Sequence, residues 1–425
     1  MKRTIFIFLL ALYALPGNRN IQACTTGLAH SGFTSNGHAL LWKNRDSGFK
    51  DNEVAFFRNA NFSFIGIINA DDTTQIWAGV NNYGFAIMNA ESRDMAVPDE
   101  NTQYDDEGYL MKEALNKCKT IDDFETMLKA SNATGRKVTS NFGVIDATGN
   151  AAFFETGNHE YFRFDTYSTS GKEKFLVRAN FAQRARSGKG YGQIRYGRAV
   201  NLLRNALENG NLNYKHILSV VSKDIHLPDS ILAADNTSVD KRKTRDTVNR
   251  FKTVSCAVFD GVGNGEDPRF TTFWCTLGEP VVSISVPLWV FAGDVPTQMV
   301  SASGSPLNKT FQKIKRQLYP EDACIDLNQV NRIQHILYKG QKKIFRKTEN
   351  ILKEWRRHNP TSEEVSRFQD QMAAIAVETA QKVITLLKKN NCYWGIISLK
   401  IRLIFCTFFC IYSPILSCRS SADLN

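Results

Sequence analysis

The sequence predicts an α+β protein, a four-layer αββα sandwich with a C-terminal helical extension. Three observations predict it. Short stretches rich in β-branched and aromatic residues recur, each bounded by Asn, Asp or Gly, as antiparallel strands are. The apolar period then changes from two to that of a helix, for two segments only, and changes back. Strands, a helix pair and more strands is the order needed for two facing sheets with helices on their outer faces.

The first strands are His38 to Lys43, Val54 to Phe57, Phe64 to Asn69, Gln75 to Val80 and Phe85 to Asn89, read as a meander. Glu107 to Cys118 then places Leu110, Met111, Ala114, Leu115 and Cys118 on one helical face. Thr120-Ile121-Asp122-Asp123 resembles a capping box that opens a second helix through Lys129. Strands return at Asn141 to Asp146 and Ala151 to Glu155, joined by the hairpin signal Ala147-Thr148-Gly149-Asn150. Tyr161 to Asp165 and Lys174 to Arg178 extend the sheet, Ile194 to Leu207 and Tyr214 to Ser222 are helical, and Thr253 to Phe259 and Phe270 to Leu277 are strands. The Gly-Val-Gly-Asn-Gly between the last two is a turn and not a phosphate loop, since no helix follows it.

Met1-Lys2-Arg3, the apolar run Ile5 to Leu15 and the small residue Ala23 read as a secretory leader too short to span a bilayer. Its removal makes Cys24 the first residue of the mature chain. A terminal cysteine carries both a nucleophile and a free α-amine that can serve as its base. Two other fates compete, lipid attachment and disulfide pairing, and lipidation would acylate the amine. Pro16-Gly17-Asn18-Arg19-Asn20 separates the apolar run from the cysteine, which is unlike a lipobox.

Gly37 to Ser47 is an apolar strand that ends in Lys43-Asn44-Arg45-Asp46. A cation beside the thiol favours its thiolate, and a carboxylate can orient the terminal amine. Read alone, the tetrapeptide is a solvated turn.

Cys24-Thr25-Thr26, Lys43-Asn44-Arg45-Asp46, Gly79-Val80-Asn81-Asn82-Tyr83-Gly84-Phe85-Ala86-Ile87-Met88-Asn89 and Asn141-Phe142-Gly143-Val144-Ile145-Asp146 together resemble the N-terminal-nucleophile (Ntn) hydrolases. The branch is the isopenicillin-N acyltransferase-like cysteine peptidases, cousins of choloylglycine hydrolases and penicillin V acylases, and the resemblance runs from about Cys24 to Trp289. It implies the αββα fold and amide hydrolysis through an acyl-enzyme. It also implies that Cys24 is the nucleophile, that Asp46 holds the terminal amine, and that Asn89 helps form the oxyanion hole, with Asn180 the second asparagine of the fold. Relatives usually carry Arg or Gln where Lys43 stands. Arg45 lies two residues on, on the same face of the strand, so either cation can be the thiolate-stabilising one. Arg250 matches a later arginine of the bile-salt branch poorly and is not counted.

From Ser301 to Asn391 the chain is polar and helical in period, over Gln312 to Tyr319, Val330 to Trp355 and Ser362 to Lys389, with 17 Lys or Arg against 9 Asp or Glu. Most of the net charge of +11 therefore sits here. Such a face can meet nucleic acid or an anionic membrane. Export, and the want of a reading motif, speak against nucleic acid, and a solvated brace for the domain or for a homo-oligomer is the plainer reading. Tyr393 to Leu416 is apolar apart from Lys400 and Arg402, which leaves room for membrane contact through the tail. Cys256 and Cys275 fall on neighbouring strands where a bridge is sterically open. No metal motif and no cofactor loop is present in the sequence.

The expected organisation is a signal peptide over 1–23, a catalytic domain over 24–300, a basic helical extension over 301–391 and an apolar tail over 392–425. The expected protein is an exported amidohydrolase or acyltransferase, periplasmic or extracellular, that acts on a small-molecule linear amide with no cofactor, no metal and no nucleic acid. The alternative is a surface lipoprotein or ligand-binding scaffold with Cys24 lipidated.

Overall fold

The computed structural model describes residues 24–96, 106–167, 173–185, 187–188, 190–228, 231–232 and 238–411, with side chains described as far as 388. The leader reading of 1–23 and the end of the apolar tail lie outside the described residues.

In chain order the strands are β1 (Thr25–Ala29), β2 (Leu40–Asp46), β3 (Asn52–Arg58), β4 (Ser63–Asn69), β5 (Ala78–Asn81), β6 (Ala86–Glu91), β7 (Ser140–Ile145), β8 (Ala151–Thr156), β9 (Tyr161–Asp165), β10 (Phe175–Arg178), β11 (Lys241–Lys243), β12 (Thr253–Asp260), β13 (Thr272–Leu277), β14 (Val286–Leu288) and β15 (Cys324–Asp326). Strands β3 to β9 form a seven-stranded antiparallel meander in sequence order. A six-stranded sheet has the order β10-β1-β2-β12-β13-β14, and β11 pairs with β15 alone. Between β9 and β10 the chain thus crosses from one sheet to the other, where the sequence pattern shows only one continuous sheet.

Each sheet is apolar on both faces, so each is covered on both. Ile65, Ile67, Val80, Met88 and Phe153 of the meander share a core with Leu28, Leu41 and Phe259 of the six-stranded sheet. On the meander's other face, Ile87, Phe142, Val144 and Phe154 pack against Met111 and Leu115 of α1 (Glu107–Leu115) and Ile121, Phe124 and Leu128 of α2 (Ile121–Thr134). Helix α2 starts at the expected capping box, with Thr120 and Asp123 exchanging side-chain to backbone bonds. The far face of the six-stranded sheet is covered by α3 (Gln193–Glu208), α4 (Tyr214–Ser219) and the C-terminal helices. The layers are α, β, β, α, as the sequence predicts.

The C-terminal helices Pro306–Leu318, Leu327–Trp355 and Ser362–Ile411 do not stand apart. Leu307, Phe311, Ile314, Ile333, Leu337, Ile344, Met372, Ala376 and Val383 belong to the same hydrophobic cluster as Val258, Phe273 and Trp274 of the sheet. Their polar faces supply the basic composition and their apolar stripes complete the outer layer.

Strand β1, absent from the sequence pattern, is laid between β2 and β10. Gly27 permits this, since a Cβ there would lie 2.4 Å from the Trp42 indole nitrogen. The expectation that a bridge is open between Cys256 and Cys275 fails. Cys256 lies opposite Thr276 and Cys275 opposite Ala257, so successive positions put the two sulfurs on opposite faces, and both are free buried thiols.

Candidate active site

Strand β2 builds the site by alternation. Leu41, Lys43 and Arg45 point between the sheets, while Asn44 points to the helical layer and bonds the Ser222 and Val248 carbonyls at 2.9 and 3.0 Å. Thr26 pairs with Lys43 and Thr25 with Asn44 across β1 and β2, which leaves Cys24 beside Arg45 at the strand end. Cys24 is buried, only 2% exposed.

Of the six residues singled out in the sequence, Lys43, Asn89 and Asn180 fall into two groups around Cys24, while the side chains of Arg45 and Asp46 are held by other partners. Lys43 and Asn89 form the first, although they come from different sheets. Lys43 Nζ donates to Asn89 Oδ1 at 2.6 Å and to the Trp77 carbonyl at 2.8 Å. Asn89 Nδ2 then faces Ser140 Oγ at 3.3 Å. Burial pulls Lys43 down to about 8, against the Cys24 charge that holds it up.

Asn180 leads the second group. Its Oδ1 accepts from the Cys24 backbone nitrogen at 2.8 Å and from Arg195 Nη2 at 2.5 Å, while its Nδ2 donates to the Glu91 carbonyl at 2.8 Å. Arg195 is fully buried. It folds back from the start of α3 over Gly192, whose φ of +99° and missing Cβ leave room for the guanidinium. Thus the side chain found on the Cys24 nitrogen is Asn180. Asp46, expected there, has its Oδ1 bonded by Thr253 Oγ1 at 2.6 Å and its Oδ2 by Arg250 Nη1 at 2.9 Å.

The Arg45 side chain is engaged by the facing sheet. Its guanidinium bonds Asn52 Oδ1 at 2.5 Å, Asn69 Oδ1 at 2.8 Å and Ser47 Oγ at 3.4 Å, and it stacks 4.6 Å from the Trp77 ring centre. The cation it offers is spread over two strands of the facing sheet. Burial pushes the Cys24 thiol up, and Lys43 is the strongest influence pulling it down, ahead of the Asp46 backbone N–H and of Arg45. Burial therefore favours the thiol over the thiolate, and a base that takes its proton assists attack.

Sequence reasoning missed Arg195, Thr253 and Tyr191, and set Arg250 aside. Tyr191 pairs with Asn180 in an isolated bridge and lies 5.5 Å from the Arg195 guanidinium, ring centre to carbon. Thr253 carries a weak signal, as the first residue of a strand that pairs with β2, but Arg195 carries none. A cavity of ≈ 290 Å³ opens beside them, lined by Tyr191, Arg245, Arg250, Phe251 and Lys252. Across Phe251 lies a second, of ≈ 430 Å³, lined by Ser47, Lys50, Thr253, Lys315 and Tyr319. A larger cavity of ≈ 800 Å³, between Arg58, Arg269 and Phe291, touches none of the residues around Cys24.

Further out, Arg178 Nε donates to Glu155 Oε1 at 2.7 Å, and both side chains are buried. Glu155 also accepts the Gln183 and Arg184 backbone N–H groups at 2.8 and 2.9 Å. One carboxylate thus pins the chain on either side of Asn180.

No protein-family model and no curated protein matches the chain. Solved structures do. The Caenorhabditis elegans N-acylethanolamine-hydrolyzing acid amidase ortholog is 15% identical, with a TM-score of 0.40, over 59% of this chain and 99% of its own. A single-residue variant of conjugated bile acid hydrolase from Clostridium perfringens is 13% identical, with a TM-score of 0.36, over 60% and 89%. Penicillin V acylase from Agrobacterium tumefaciens is 10% identical, with a TM-score of 0.37, over 63% and 85%.

Proposed function

We propose that the chain is an exported Ntn-type cysteine amidohydrolase that cleaves a linear amide through a thioester, with acyl transfer to an amine as a variant of the second half-reaction. The single observation that carries this is the convergence on one residue. Cys24 presents its sulfur beside Lys43 and its own nitrogen 2.8 Å from Asn180 Oδ1.

Removal of the residues before Cys24 turns that nitrogen into an α-amine, which takes the thiol proton. The sulfur attacks the amide carbon, and the oxyanion forms against Asn89 Nδ2, whose orientation is fixed because Lys43 occupies Oδ1. A single such donor is worth about 3 kcal/mol in the transition state. Collapse breaks the C–N bond, and the ammonium returns its proton to the leaving amine. Water then attacks the thioester, passes a proton to the α-amine, and the acid and the thiol are regenerated. Asp46, with Thr253 and Arg250, braces the end of β2 that carries this apparatus.

The lipoprotein reading predicts a blocked amine, since lipidation would acylate the nitrogen that has to act as the base. Intact mass and N-terminal sequencing of the exported protein, with hydrolysis of an acyl-amide panel by wild type and Cys24→Ala, provide the test. An unblocked Cys24 and at least a ~10⁴-fold loss in the variant are expected. A start at any other residue, or equal turnover by the variant, overturns the reading.

A further inference from the structure

The Leu327–Trp355 helix carries seven Lys or Arg and two Glu. Its buried stripe, Val330, Ile333, Leu337, Ile344, Leu352 and Trp355, faces the body of the protein. Six of the seven cations, Lys339, Lys342, Lys343, Arg346, Lys347 and Lys353, are exposed and recur at helical spacing along the opposite side. Glu378 of the neighbouring helix acts on Lys343 through space but is bonded to Lys382. Glu349 faces Lys215 and the Tyr214 hydroxyl, which lie on α4. Among the described residues, none of the six is in an ion pair. Tyr338 sits in the same stripe, 59% exposed, with Lys342 Nζ 5.8 Å from its ring centre.

The stripe is held rigidly. Gly340 packs against Thr379 of the Ser362–Ile411 helix, so closely that a Cβ would lie 2.4 Å from the hydroxyl. A fixed row of unpaired cations with an amphipathic aromatic among them is the surface that anionic headgroups attract.

We propose that this helix face docks the protein on an anionic lipid bilayer. A membrane is favoured over nucleic acid because the neighbouring helix leads, in sequence, into the apolar stretch 393–416. Among the described residues no helix is long and apolar enough to cross a membrane. A basic face and an apolar segment are two signals that together strengthen attachment to a membrane surface. The proposal is independent of the amidohydrolase reading, because the stripe contains none of the residues around Cys24.

The test is co-sedimentation of the full mature chain with vesicles of phosphatidylcholine alone or with about a third phosphatidylglycerol, at 0.1 and 0.5 M NaCl. Each cation near such a surface contributes about fivefold in affinity, and screening shortens its reach. Binding to the anionic vesicles at low salt is therefore expected to fall at least about a hundredfold in the variant Lys342→Glu, Lys343→Glu, Arg346→Glu, Lys347→Glu. Binding to neutral vesicles should not change between variant and wild type. An unchanged melting temperature establishes that the exposed substitutions leave the fold intact, and a Gln set in place of the Glu set gives a second, milder comparison. Equal binding to both vesicle types, an unaffected variant, or tighter binding to a single-stranded polynucleotide than to anionic vesicles each overturns the proposal.

Discussion

Lys43 and Asn89 join the two sheets at the site, Nζ to Oδ1, over 2.6 Å. Neither residue is neutral to the other's orientation. A lysine can only donate, so the amide must turn its oxygen to Lys43 and its NH2 outward. The cation therefore sets which end of Asn89 a substrate carbonyl meets.

Lys43→Met is expected to lower kcat/KM by about 10²- to 10³-fold, because it frees the amide as well as removing the charge. Asn89→Ala should cost a similar factor. The double variant should lose no more than the worse single one, which kinetics on all three will decide.

The charge on Lys43 also sets a pH limit. Folded Lys43 releases its proton near pH 8, whereas an unfolded lysine holds it to about 10.4. Activity should therefore fall on an alkaline limb near pH 8, and Lys43→Arg should move that limb upward. Between the two values the unfolded chain binds more protons, so this group makes stability rise with pH there. Urea titrations from pH 7 to 10 should show a slope that Lys43→Met removes.

Arg45→Ala is expected to slow acylation less than Lys43→Ala does. Its guanidinium is taken up by Asn52, Asn69 and Ser47, so its loss should appear mainly as lower stability, about 3 kcal/mol or more from three acceptors left unpaired. Burst-phase kinetics beside chemical denaturation separates the two effects.

Asn180→Leu should abolish activity while Asn180→Asp retains part of it, since an oxygen is still offered to the amine and to Arg195. Arg195→Met should lower kcat far less than Asn180→Leu does, because it acts on the amine only through Asn180. Steady-state kinetics with the processed protein decides this.

Glu155→Gln removes the charge from a buried pair and weakens the hold on Gln183 and Arg184. A loss of about 3–5 kcal/mol is expected, with a lower kcat in whatever protein folds. Unchanged melting would show that Arg178 finds its partner elsewhere.

Local pattern carried much of this architecture. The capping box at Thr120 and Asp123, the alternation that sends Lys43 and Arg45 to one face, and the Gly-rich turn after β12 are all short-range features, and each is present as read. What pattern could not reach depends on distance in the chain. Arg250 meets Asp46 from 204 residues away, and Arg195 reaches Asn180 only because α3 begins at a left-handed glycine. Strand β14, three residues with a central Pro287, has too little length to show a period. Asn180 meets the Cys24 backbone N–H for the same reason, because the packing of β10 against β1 brings it there.

The apolar stripes that the last three helices press onto the far sheet mean that the length needed to fold exceeds the length that holds the chemistry. Cut after residue 300, the chain would keep Cys24, Lys43, Asn89 and Asn180 yet bare Trp274, whose ring lies 5.2 Å from that of Phe345, so a trimmed version should aggregate before it can be assayed.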